Sequence, residues 1–194
     1  NVEKALAGYN FNEAAILIYK FFWGEFCDWY IEFSKLTKSE LNTQIILYKV
    51  LEKSLRMLHP IMPFLTEEIW QALSGGSRSI MIESWPHIQN QMISPALEKK
   101  MELLIEVITS LRNIRSSWNI DQSKKIDAYI KVAKADSAEI LKSYSSYLKE
   151  MAKIESLNIG KDVKKPPMSA TSVIGHLVEI FVPLAGVIDI EKEK

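Results

Sequence analysis

The chain has 194 residues, 47% apolar and 25% charged, with 24 basic side chains balanced by 24 acidic ones. That length allows one large domain or two small ones, and the apolar share is enough for a sizeable core. A net charge of zero speaks against strong, indiscriminate polyanion binding, which needs a basic excess, but leaves room for a local basic patch or for base stacking.

The single cysteine, Cys27, rules out an internal disulfide. Inside an apolar run it reads as a small buried hydrophobe, and a reducing, cytoplasmic compartment fits. Lys20, Glu25 and Asp28 interrupt the longest apolar run, so neither a membrane span nor a signal peptide is expected.

In chain order, Asn10 with Glu13 reads as a reciprocal helix cap. The helix it opens is predicted from Phe11 to about Lys35. Glu13, Lys20, Asp28, Glu32 and Lys35, with Gly24, fall on one narrow line. Most other positions are apolar, which predicts a helix central in a bundle. Thr37 with Glu40 forms a second cap, and the next helix runs to about His59 with Leu41, Ile45, Tyr48, Leu51, Leu55 and Leu58 on one face. Pro60 and Pro63 stop it. Thr66, Glu67 and Glu68 then start a short helix carrying Ile69, Trp70 and Leu73. After a Gly-rich loop at 74–77 and an irregular apolar stretch at 80–85, Ser94 and Pro95 open a long helix. Its stripe is Leu97, Met101, Leu104, Ile108, Leu111, Ile114 and Trp118, and the bundle is predicted to end near Asn119.

The period then changes. Ile126, Ala128, Ile130 and Val132 alternate with polar neighbours, which predicts a strand. Asp136 with Glu139 caps a helix to about Met151, and Leu157 with Ile159 suggests a second strand. A polar loop at 161–169 precedes strands at 171–176 and 178–182, and the charged tail at 189–194 reads as the start of a helix. The fold class is therefore mainly α: a helical bundle over 1–119, then a small α+β (β-α-β-β-β) subdomain over 120–188.

Catalytic chemistry finds little support. Gly75–Gly76 lacks the strand, lysine and helix of a phosphate loop, so ATP binding by this segment is not expected. His59, His87 and His176 have no glutamate at metal-ligand spacing. Glu67 and Glu68 read as complements to a helix dipole. No catalytic residue and no metal ligand is assigned. The best candidates are for RNA. Arg112 and Arg115 are neighbours on the long helix, and Trp118 offers a stacking face beside them. Lys124 and Lys125 extend the patch. The bland alternative for Arg115 is a side chain snorkelling at the edge of the apolar stripe. The run Lys161, Lys164 and Lys165 reads as a solvated loop within reach of a phosphate backbone.

The runs YNFNEAA, FFWGEFCDWYIEFSK and LRMLHPIMPFLTEEIWQAL, the pair RNIR and the ending VPLAGVIDIEKE occur in this order. Together they resemble the C-terminal anticodon-binding region of the valyl-tRNA synthetases, which are class I aminoacyl-tRNA synthetases. HPIMPFLTEEIW alone is shared with leucyl and isoleucyl relatives, and CDWYIE followed by a lysine favours the valyl family. The resemblance implies a helical anticodon-binding bundle and a partner tRNA, specific for valine and docked through its anticodon stem-loop. It also implies a catalytic core elsewhere in the same chain that uses ATP and Mg, and a coiled-coil arm starting at 189–194. The HIGH and KMSKS signatures of the catalytic core are absent, so this segment is expected to hold no cofactor and to be non-catalytic by itself. A cytoplasmic monomer is expected. Two alternatives stay open: a protein-interaction bundle with no RNA role, and the equivalent domain of an isoleucyl or leucyl enzyme.

Overall fold

A computed structural model describes residues 1–76, 78–87, 92–175 and 177–185. The chain divides into two compact units, Asn1–Asn90 and Gln91–Lys194.

Among the described residues, the regular elements of the first unit are all helices. Helix α1 spans Val2–Ala7 and α2 spans Phe11–Tyr19. Without a break, α2 continues as a π-helical segment, Lys20–Ile31, then α3, Glu32–Ser34, and a 3₁₀ turn at Lys35–Thr37. The continuous helix expected from Phe11 to about Lys35 is thus present, but its middle is wound i→i+5, a rare geometry. Along it Phe22 lies tilted against Phe26, and Phe26 stacks on Tyr30, at centroid distances of 5.7 and 6.1 Å. Burial is narrower than the apolar composition predicts. Ala14, Ile18, Phe26 and Phe33 are buried, while Phe11, Tyr19 and Trp23 are exposed.

Helix α4, Leu41–Leu58, packs on α2 and on α5, Pro63–Ser74. Helix α5 starts at Pro63 rather than at Thr66, because a proline at the first helical position loses no hydrogen bond. The Thr66 hydroxyl lies within the first turn, donating back to the Met62 carbonyl at 2.8 Å and sitting 2.8 Å from His59 Nδ1. Gly75, at φ +70, closes α5 in the left-handed conformation that glycine favours. Leu55, Trp70 and Ile80 form the core here, with Leu51 and Leu73 against them. Trp70 Nε1 donates to the Arg78 carbonyl at 3.0 Å, which satisfies its one polar atom. Asn10 makes no side-chain cap bond, α4 starts after Glu40 while the Thr37 hydroxyl accepts from Thr43 at 3.0 Å, and in the second unit the helix Ala135–Ser143 starts after Lys134 and not at Asp136.

The second unit is a helix-covered sheet. Helix α6 spans Pro95–Ser117 and is followed by β1, Ile126–Val132. Helices α7, Ala135–Ser143, and α8, Ser145–Ala152, lead to β2, Ile154–Gly160. Strands β3, Ser169–Ile174, and β4, Val178–Pro183, complete it. The sheet order is β2-β1-β4-β3, with β1 parallel to β2 and antiparallel to β4. The β-α-β-β-β order read from the sequence is present. The single helix expected over 136–151 is two, broken at Tyr144, whose φ/ψ of −103°/21° leaves the helical region.

Ile126, Ala128, Ile130 and Val132 are buried on one face of β1, beside Val178, Ile180 and Val182 of β4. Helices α6, α7 and α8 all pack on this sheet. The long helix therefore groups with the sheet instead of with the helices before it, and the division falls ahead of α6 and not near Asn119. Its stripe explains this: Leu104, Val107, Ile108, Leu111 and Ile114 are buried, and α6 contacts β3, β4 and α8. The expected helix at 189–194 lies outside the described residues.

Candidate nucleic-acid interface

The RNA candidates gather where α6 ends. Its last turn is closed by Trp118, whose N–H bonds back to the Ile114 carbonyl at 3.1 Å. Asn119 then takes a left-handed φ of +46°, and the Ile120 N–H returns to the Arg115 carbonyl at 2.9 Å. This reversal folds residues 120–125 back against the helix that precedes them.

Arg115 holds the reversal from inside. It is only 7% exposed, and its Nη2 donates to the carbonyls of Asp121 at 2.6 Å and Lys124 at 2.9 Å. Nη1 is buried and makes no hydrogen bond. Arg115 is thus neither a snorkelling side chain nor an exposed finger but a clamp on a loop. Burial lowers its pKa, and the nearby Asp121 carboxylate opposes that shift. Asp121 Oδ1 accepts from the Ser123 hydroxyl and N–H at 2.6 and 2.7 Å. These bonds hold its carboxyl below the usual carboxylate range.

Arg112, one turn earlier and exposed, donates from Nε to the Met151 carbonyl at 3.2 Å. Arg112 and Arg115 line a common cleft of about 450 Å³ with Gln122 and Lys153. Lys124 and Lys125 project from the loop, and Lys125 Nζ lies 3.5 Å from Glu155 across two exposed side chains, a weak attachment. Trp118 is half-buried.

In the first unit, sequence reasoning missed a pair of rings. Tyr19 and Trp23 are 63% and 55% exposed, parallel within 3°, with centroids 6.3 Å apart. Their spacing of four on one helix was the available signal, masked by the surrounding apolar run, which suggested burial.

The protein-family model for the anticodon-binding domain of tRNA ligase matches residues 1–130. The chain belongs to this family. It is 43% identical over 196 residues to a valine–tRNA ligase of Thermotoga maritima, covering 100% of this chain and 22% of that protein. It is 42% identical over 199 residues to a valine–tRNA ligase of Syntrophotalea carbinolica, with 98% and 22% covered. It is 38% identical over 191 residues to a valine–tRNA ligase of Bacillus subtilis, with 95% and 22% covered. The chain therefore spans about a fifth of the length of these relatives. The match to the anticodon-binding family includes Arg112, Arg115, Trp118, Lys124 and Lys125, and also Tyr19 and Trp23. Among the described residues, no helix is long and apolar enough to cross a membrane.

Proposed function

We propose that this anticodon-binding domain is part of a valine–tRNA ligase and that its partner is valine tRNA. The observation that carries the reading is about 40% identity over essentially the whole chain to proteins that all bear that one name. Aminoacylation with ATP and Mg is assigned to the remainder of such a protein. Because Gly75 closes α5, the glycine pair at 75–76 is proposed to hold no nucleotide.

In this reading the exposed rings of Tyr19 and Trp23, and the half-buried Trp118, offer stacking faces to unpaired bases. Arg112, Lys124 and Lys125 engage the backbone, and Arg115 keeps their loop in place. Backbone contacts position an RNA without reading its sequence, so discrimination of the anticodon falls to the stacked and edge-read bases. The domain is proposed to act in the cytoplasm as part of a monomer.

The test is a titration at fixed low salt against valine tRNA and the same tRNA with a swapped anticodon. Tighter binding to the native anticodon is expected. Equal binding to both would reduce the domain to a backbone clamp. No binding to either would favour a protein-interaction role, a reading supported by exposed apolar side chains such as Phe64 at 91% and Leu41 at 70%.

A further inference from the structure

We propose that the cleft between the last turns of α6 and α8 seats a single backbone phosphate of the bound RNA. Arg112 and Lys153 are the direct donors, and Arg115 is a buried charge behind them. The proposal rests on the RNA-binding reading above and adds Lys153, a residue with no role so far.

The lining of this cleft contains three cations, Arg112, Arg115 and Lys153, with Gln122 as a neutral donor and no carboxylate. Its volume of about 450 Å³ is in the range of small-ligand clefts, roughly 300–1,000 Å³, and admits a phosphate with its flanking sugar. The Arg115 guanidinium bonds to main-chain carbonyls and not to an acid. Among the described residues, the acid acting on it is Asp121, whose carboxylate is engaged by Ser123. A positive charge held in a poorly solvated wall acts on a neighbouring anion more strongly than one in water.

Lys153 supports the assignment from the backbone. It ends α8 at φ +54° and ψ +57°, a left-handed conformation where glycine is the ordinary residue. A lysine there carries a strain that glycine would not, and the residue lines the cleft. Its partner Glu150 lies 3.0 Å away with both side chains at least half exposed, a pair weak enough to exchange for a phosphate.

A purely structural account also exists. Arg115 and Lys153 lie at two helix C-termini, where cations complement the helix dipole. The two accounts differ in what they move: dipole complementation changes stability, whereas a phosphate seat changes the salt dependence of RNA binding.

The experiment compares the 194-residue chain with Lys153→Gly and Arg112→Gln. The glycine variant relieves the left-handed strain, so its Tm should not fall. Each variant should flatten the slope of log K against log salt for valine tRNA by about 1 and weaken native and swapped anticodons equally. An unchanged slope in Lys153→Gly, with tRNA binding intact, would overturn the proposal while leaving the RNA reading standing. If the parent chain does not bind tRNA at all, NMR titration with a dinucleotide carrying one phosphodiester decides separately. Shifts at Lys153 and Arg112 that vanish in the variants keep the phosphate seat without the tRNA reading. Shifts with inorganic phosphate alone, or none, overturn it.

Discussion

Arg115 Nη2 donates to the Lys124 carbonyl at 2.9 Å, tying the end of α6 to a residue just ahead of β1. The same nitrogen also takes the Asp121 carbonyl, so one planar group fixes both ends of the connecting loop. Arg115→Ala leaves two carbonyls without their charged donor and should destabilise the second unit by about 2–3 kcal/mol. Arg115→Lys should recover less than half of that, because an ammonium does not reproduce the fork geometry. Urea unfolding checks both variants, and a loss below about 0.5 kcal/mol for Arg115→Ala would remove the clamp from the account.

Glu67 sets a pH dependence in the first unit. Its carboxylate accepts from the side chains of Gln71 and Ser79 and from the Ile80 N–H. The Gln71 bond is the largest cause holding its pKa below the ordinary value. A carboxyl whose folded pKa is depressed binds protons less readily than in the unfolded chain. It therefore stabilises above the unfolded pKa, and the contribution disappears as pH falls through the lower folded value. Thermal melts of wild type and Glu67→Gln should differ at pH 7 and converge in acid. A difference that stays constant from pH 7 to below the folded pKa would mean that the charge is irrelevant.

Trp23 is predicted to matter for RNA and not for folding. Exposed and stacked on Tyr19, its replacement by alanine should leave stability within about 0.5 kcal/mol. Loss of a stacking face should cost about 1–3 kcal/mol of tRNA affinity, read by titration at fixed salt. Unaltered affinity would place the base contacts elsewhere.

Cys27 should be sluggish toward thiol reagents. Burial raises its pKa, and the Asp28 carboxylate adds to the shift, so less reactive thiolate is present at neutral pH. Reaction with a colorimetric disulfide should be slower in the folded chain than in denaturant at the same pH. Equal rates would mean that the half-buried thiol reacts as it does in the unfolded chain.

The parts of this fold that were legible in the sequence are those where one periodicity runs unopposed. The alternation of β1 and the stripe of α6 are such cases, and both elements form over the expected residues. Where two patterns overlap, local reading fails. The aromatic run from Phe21 reads as uniformly apolar, yet of its aromatic side chains only Phe26 and Phe33 are buried, and the winding changes to i→i+5 midway. At the candidate interface, Arg112 and Arg115 were visible as a helical pair. Whether a long cationic side chain turns to solvent or folds inward depends on what lies beside the helix end, and that is set by the reversal at Asn119. Lys153 was invisible because its left-handed backbone contradicts what its residue type prefers.

The sheet order has a consequence for synthesis. Strand β1 lies in the interior of the sheet, and its second neighbour is β4, which ends at Pro183. At a ribosomal rate of about 5–20 residues per second, the 51 residues separating Val132 from Pro183 take roughly 3–10 s to emerge. Throughout that interval the nascent chain carries an unpaired strand edge of alternating Ile, Ala, Ile and Val, the kind of surface that recruits other strands. Helix α7, made directly after β1 and packed on it in the folded unit, is available to shield the strand's apolar face while the open edge waits for its partner.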